Sequence, residues 1–197
     1  FLCFEKEAEY LNSILKRKSP KDLSELMGVS SKIADLNYER NHDWKLPFSK
    51  KNARQAVYAF SGDVYRGLDA YSIDHEKIDF MQNTVRIISG LYGLIKPLDL
   101  IQPYRLEMGT KIDSILGVSL HEFWKKKITS RLNNDLLKNK TKFLFNLSSQ
   151  EYFESIDKNN LNAKIINFDF KVLKNKKLKA PGMMIKKYRG IMAKFII

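Results

Sequence analysis

The chain is poor in the residues that build disulfide and metal chemistry. Among 197 residues there is one cysteine, Cys3, and there are three histidines, His42, His75 and His121. A single cysteine excludes an internal disulfide framework and any cysteine-cluster zinc site, and it fits a reducing cytoplasm. "HEFWK" at 121–125 lacks the second histidine of an H-E-x-x-H motif, so each histidine reads as a lone surface residue. No metal and no other cofactor is expected. Long apolar runs are also missing. Mean hydropathy is −0.37, and no stretch approaches the ~20 apolar residues that span a bilayer. The opening "FLCFEKEAEYLNSILKRK" is apolar for only four residues before an amphipathic helical pattern takes over, unlike a secretory signal. A cytoplasmic location and no membrane partner are the expectation. Glycine motifs are sparse too: there is no Walker-type phosphate loop, no G-x-G-x-x-G and no G-x-S-x-G.

What is present is positive charge on a chain with a real core. Hydrophobic residues make up 44%, and the net charge is +13 with an isoelectric point near 9.7. Such a balance attracts polyanions. The charge is uneven, because Lys171 to Ile197 holds nine Lys and Arg and no Asp or Glu. That asymmetry points to a binding face.

Hydrophobic periodicity gives interspersed helices and strands. Residues 5–17 suit a helix with Ala8, Leu11, Ile14 and Leu15 on one face. "SPKDLSEL" opens another, with Ser19 as cap, Pro20 at the first position and Asp22 in the first turn. "SKIADLNYERN" starts a third. Residues 51–60 and "DHEKIDFMQNTV", capped by Asp74, read as helical, and "GDVYRGLDA" as short and irregular or helical. "RIISGLYG" is β-rich, and "PYRLEMGTK" reads as a strand with alternating faces. Residues 119–138 form the longest helix, its stripe Leu120, Phe123, Trp124, Ile128 and Leu132 read as core. "KFLFNLSS" is a buried strand followed by the short helix "SQEYFESI". "AKIINFDFKVL" is a strand, "KLKAPGMMIKK" its antiparallel partner, and "YRGIMAKFII" returns to helix. The expected class is α+β or mixed α/β: one compact domain over 1–197, with a mixed sheet, surrounding helices and a helix-hairpin-helix-like element near 20–40. The first residue is not Met, and "RGIMAKFII" ends without a cap or polar tail. Both features suggest a fragment lacking its natural termini.

Five stretches carry candidate chemistry. "LMGVSSKIADL", 26–36, resembles the DNA-binding helix-hairpin-helix, whose hairpin reads Leu-Pro-Gly-Ile-Gly, a polar residue, Lys, any residue and Ala. Leu26, Gly28, Val29, Lys32 and Ala34 fit, while Met27 and Ser30 replace the proline and second glycine. Backbone N–H groups at Gly28, Ser30 and Ser31 would meet a phosphate at a helix N-terminus, with Lys32 adding charge. The alternative is an ordinary corner with Gly28 as a C-terminal cap. In "SGLYGLIKPLDLIQPYRLEMGTK", 89–111, Gly90 and Gly93 stand three apart, two prolines mark turns, and Arg105, Glu107 and Lys111 follow. Arg105 and Glu107 are either a surface pair or a charged cleft wall, Arg105 gripping phosphate and Glu107 orienting it. Asp63 in "FSGDVYRGL" is either a helix cap or a general acid or base. Asn146 in "NLSSQEYF" stands at a strand's carboxyl end, a usual site position in α/β folds, unless Ser148 or Ser149 simply caps the next helix. Lys186, Lys187, Arg189 and Lys194 surround Tyr188 and suit phosphate binding with stacking.

Taken together, "GDVYRGL", "SGLYGLIKPLDLIQPYRLEMGTK", "NLSSQEYF" and "KKYRGIMAKFII", in this order and spacing, resemble the YaaA peroxide-stress family over nearly the whole chain. The resemblance implies a cytoplasmic bacterial protein that protects against hydrogen peroxide. It also implies lowered free iron, less iron-mediated DNA damage, and a positively charged cleft with a helix-hairpin-helix that binds duplex or branched DNA. Family members usually begin with a strand and an "SPAKT"-like loop and end in an acidic and aromatic segment, neither of which stands here. The expectation is therefore largely sequence-independent DNA binding through Gly28, Ser30, Ser31, Lys32, Arg105, Lys111, Lys186, Lys187, Arg189 and Lys194, in preference to catalysis. The alternative is an enzyme acting on nucleic acid or a nucleotide, centred on Asp63, Arg105, Glu107 and Asn146 with Lys187 nearby.

Overall fold

A computed structural model describes residues 2–174, 176–179 and 182–197. Its first three helices are built from local signals. Helix α1 (Glu5–Lys16) buries Ala8, Leu11, Ile14 and Leu15 along one stripe. Helix α2 (Pro20–Met27) opens on a capping box: Ser19 Oγ accepts from the Asp22 N–H, and the Asp22 carboxylate accepts from the Ser19 N–H. It stops at Gly28, whose φ of 60° is the left-handed conformation that ends helices. Helix α3 (Ser31–Asp43) follows at once and packs back on α2.

The middle of the chain is short elements laid around a core. Strand β1 (Arg54–Gln55) leads into α4 (Ala56–Ala59), where a helix over 51–60 is expected from sequence. Only four of those ten residues are helical, because Gln55 is drawn off to pair with Leu100. Helix α5 (Asp63–Leu68) and α6 (Ile78–Thr84) come next, and a 3₁₀ turn at His75–Lys77 precedes α6. Asp74 stands before that turn but makes no side-chain capping bond. Strands β2 (Ile87–Ser89) and β3 (Gly93–Ile95) form an antiparallel hairpin, and β4 (Leu100–Ile101) pairs with β1. After the short α7 (Asp113–Leu116) comes α8 (Leu120–Lys138), capped by Ser119. It sends Leu120, Trp124, Ile128 and Leu132 into the main core beside Leu91, Tyr92, Met108 and Leu11.

Two strands then run parallel: β5 (Phe143–Asn146) and β6 (Lys164–Asn167), joined through α9 (Gln150–Phe153). A hairpin of β7 (Val172–Lys174) and β8 (Lys177–Lys179) precedes α10 (Ile185–Ile196). The mixed α and β class stands. The strands, however, pair as four separate two-stranded ladders among the described residues instead of one mixed sheet. Strand β5 is also not the buried strand that its apolar composition suggests, since Phe143 and Phe145 are 55% and 50% exposed.

Two contacts tie distant parts together. Asp135 on α8 holds Arg86 at 2.6 Å and Arg131 at 3.3 Å, and the Arg86 and Asp135 side chains are only 10% and 8% exposed. Burial pushes the Asp135 carboxyl up, but the bonds and charges of Arg86 and Arg131 outweigh it and hold it below the ordinary range. The second contact is the crossing of α5 and α10, where Gly67 and Gly190 face each other's backbones. A Cβ on Gly190 would stand 1.9 Å from the Val64 carbonyl oxygen, and one on Gly67 would stand 2.1 Å from that of Lys187. Around this crossing a second, smaller core gathers Val57, Leu68, Ala70, Met81 and Ile197.

Candidate functional site

Residues 89–111 are a packing device. A Cβ on Gly90 would meet the Leu106 carbonyl oxygen at 2.2 Å, and Gly93, at φ 68°, leaves room for the Trp124 ring. The glycines therefore allow close approach of protein to protein, not of backbone to phosphate. Tyr92 joins the layers: its hydroxyl accepts from Trp44 Nε1 at 2.9 Å and from the Gln102 N–H, and donates to the Gln102 carbonyl at 3.0 Å. Tyr104 bonds Ser89 at 2.6 Å. Burial pushes the Tyr92, Tyr104 and Tyr65 hydroxyls well up, and that of Tyr152 up to about 12.

The expected strand over 103–111 is absent. Residues 102–107 have no regular secondary structure and pair with no strand among the described residues, and 108–109 turn. Arg105 and Glu107 still meet, with Arg105 Nη2 donating to Glu107 Oε1 at 2.7 Å, while the buried Arg105 Nε makes no hydrogen bond. Beyond them lies a cleft of about 720 Å³ lined by Lys18, Asp22, Glu25, Glu107, Lys111 and Glu151. Glu151 Oε1 accepts from the Gly109 N–H at 2.8 Å. Four carboxylates face two lysines here, so Lys111 looks into an acid-rich cleft and not the basic one expected of it.

The other candidates disperse. Asp63 pairs with Arg66 at 3.2 Å on the exposed side of α5, so it is neither a side-chain cap nor joined to Arg105. Gly28 caps α2, Ser30 stands before α3 without a side-chain capping bond, and Ser31 and Lys32 open α3 on an exposed corner. Lys194 is not free for a ligand: it reaches back to Asp69 at 3.0 Å and to the Ser72 hydroxyl. An acid 125 residues away offsets a charge that nothing in the C-terminal stretch offsets. Lys186 and Lys187 are exposed on α10, and Lys177 and Lys179 are exposed on β8; none of the four forms an ion pair among the described residues. Ala180 and Pro181, part of the expected "KLKAPGMMIKK" strand, lie outside the described residues.

Asn146 and Arg189 come together in a second pocket, of about 320 Å³, at the carboxyl ends of β5 and β6. Asn146 Nδ2 donates to Asn167 Oδ1 at 2.9 Å, and Asn146 Oδ1 accepts from the Ser148 N–H and hydroxyl. Ser149, one residue on, caps α9. Arg189 enters from α10, and partial burial lowers its pKa. Phe168 and Phe170 complete a row of rings, Phe145 to Phe168 at 5.7 Å, Phe168 to Phe170 at 6.3 Å and Phe170 to Tyr188 at 6.5 Å. Asn167, Phe168, Phe170 and Lys158 were not picked out by sequence reasoning. The available signal is the shared ending of two parallel strands, "FLFN" and "KIIN", each closing on Asn.

The arrangement defines a mixed α and β protein with a polar pocket at the ends of its parallel strands and a lysine-rich C-terminal face. The chain belongs to the family of the peroxide stress protein YaaA, whose family model matches residues 2–197. It is similar to a UPF0246 protein of Flavobacterium johnsoniae, 53% identical over 194 residues, which cover 98% of this chain and 76% of the relative. A UPF0246 protein of Teredinibacter turnerae is 50% identical over 97% of this chain and 75% of its own length. One from Neisseria meningitidis serogroup C is 48% identical over 96% and 73%. Membership connects the chain with peroxide stress. Among the described residues no helix is long and apolar enough to cross a membrane.

Proposed function

We propose that the protein binds DNA through its phosphate backbone during peroxide stress and so limits iron-mediated damage to that DNA. The observation that carries this reading is the C-terminal face. Lys177, Lys179, Lys186 and Lys187 are exposed and form no ion pair among the described residues, and 171–197 contains no Asp or Glu. Tyr188 among them adds a ring for stacking. The α2–α3 corner offers a second, smaller contact through Lys32 and the left-handed Gly28 turn. Contacts of this kind hold a duplex without reading its sequence.

The test is fluorescence anisotropy with single-stranded, duplex and four-way-junction DNA across a salt series. With about five phosphate contacts the log–log slope is about −4 to −5. Lys186→Glu with Lys187→Glu weakens binding to every DNA alike. No binding at low salt, or a salt-independent affinity, overturns the reading. The protective role is checked by nicking of supercoiled plasmid with ferrous iron and hydrogen peroxide, and a plasmid nicked equally with and without protein refutes it.

A further inference from the structure

The pocket at the carboxyl ends of β5 and β6 gathers groups that a backbone-binding face does not require. Its volume of about 320 Å³ falls at the small end of ligand sites. Its place, outside the ends of parallel strands, is where α/β proteins hold ligands. Three features fix the ligand's chemistry.

The first is Arg189. It lines the pocket, is partly buried, and makes no ion pair or hydrogen bond among the described residues. A guanidinium taken partly out of water without a counter-charge is costly, and an anion that accepts its fork of donors relieves that cost. Lys158, on the same lining, lies over the Phe153 ring at 5.3 Å and has no carboxylate partner among the described residues. The second is the amide pair. Asn146 Oδ1 is committed to Ser148, which fixes Asn146 Nδ2 as the donor to Asn167 Oδ1. The Asn167 Nδ2 donors then have no protein acceptor among the described residues, beside the pocket that Asn167 lines. The third is the pair of rings of Phe168 and Phe170, inclined by 20° with centroids 6.3 Å apart, which supply flat apolar surface for a planar group.

We propose that this pocket binds one nucleoside monophosphate unit, its base against Phe168 and Phe170 with Asn167 donating to the base edge, and its phosphate on Arg189 and Lys158. The unit is either a free mononucleotide or an unpaired nucleotide of a DNA strand. Only the second source rests on the DNA-binding reading.

The test is calorimetric titration of the protein with the four nucleoside 5′-monophosphates, the corresponding nucleosides, and ribose 5-phosphate. At least one monophosphate binds, and its nucleoside and ribose 5-phosphate each bind at least about tenfold more weakly, since each lacks one half of the recognition. Arg189→Gln weakens the monophosphate about tenfold or more, and Phe168→Leu at least about fivefold. Displacement of the monophosphate by a single-stranded oligonucleotide identifies a strand as the source, and failure to displace identifies the free nucleotide. Lys186→Glu with Lys187→Glu weakens duplex binding but leaves the monophosphate affinity within about twofold, so the two readings fail separately. If Arg189→Gln does not fold, the half-ligand comparison on the unaltered protein and the Phe168→Leu titration decide. Absence of monophosphate binding at millimolar concentration, equal binding of ribose 5-phosphate, or an unchanged affinity in folded Arg189→Gln overturns the proposal.

Discussion

Replacing Gly190 with alanine tests whether the α5–α10 crossing holds the C-terminal helix in place. The added methyl carbon would stand 1.9 Å from the Val64 carbonyl oxygen, 2.6 Å from the Leu68 nitrogen and 2.9 Å from the Gly67 carbonyl carbon. All three are backbone atoms, so no side chain can swing aside. An ordinary carbon–oxygen contact of about 3.3 Å requires the helices to part by more than 1 Å. A gap of about 1 Å already removes up to half of the dispersion attraction across an interface, and forced overpacking costs about 1–3 kcal/mol or more. We expect a loss near the top of that range, about 3 kcal/mol, or roughly 6–12 °C in Tm for a chain of this size. Gly67→Ala, which would press on the Lys187 carbonyl at 2.1 Å, costs a similar amount. The double variant costs little more than either single one, because the helices need to part only once. Gly62→Ala, where nothing lies within 4 Å of the new carbon, stays within about 0.5 kcal/mol. Urea and thermal melts of the four variants measure this directly. A Gly190→Ala protein with an unchanged Tm, or costs that add in the double variant, refutes the reasoning.

Two other positions give clear outcomes. Asp135→Asn leaves Arg86 buried without its counter-charge and costs about 3–5 kcal/mol. In the unaltered protein, the Asp135 contribution is fully present above the ordinary carboxylate pKa and disappears as pH falls through the lowered one, so Asp135→Asn flattens the acid limb of a stability–pH curve. Tyr92→Phe strips Trp44 Nε1 and the Gln102 backbone of their shared partner. A loss of about 1–3 kcal/mol in urea melts is expected, and an unchanged midpoint would show that water replaces the hydroxyl.

The parts of the fold that were legible are those decided within a few residues. Ser19, Pro20 and Asp22 announce α2 because a capping box closes inside one turn, and Ser119 with the Leu120–Leu132 stripe announces α8 for the same local reasons. What was missed depends on partners far along the chain. "PYRLEMGTK" has an alternating pattern but no strand beside it, and alternation cannot supply the missing ladder. Phe143 and Phe145 look like core residues, yet β5 pairs along one edge and turns both rings outward. The site divides in the same way. Exposed Lys186 and Lys187 follow from charge counting. The acids around Lys111 and the Asp69 clasp on Lys194 come from other segments and leave no mark in the local sequence.

The α5–α10 crossing also orders events in time. Its two sides lie far apart in the chain, as the 125-residue separation of Lys194 and Asp69 shows. As the chain leaves the ribosome, residues 63–68 emerge long before the helix that covers them. Over that interval the Gly67 surface and the apolar group of Leu68, Ala70 and Met81 lack the cover that Ile197 completes. Closing so long a loop is slow relative to forming α1 to α3. Docking of α10 is therefore a late step that completes the smaller core, and the nascent protein carries an uncovered apolar face until then.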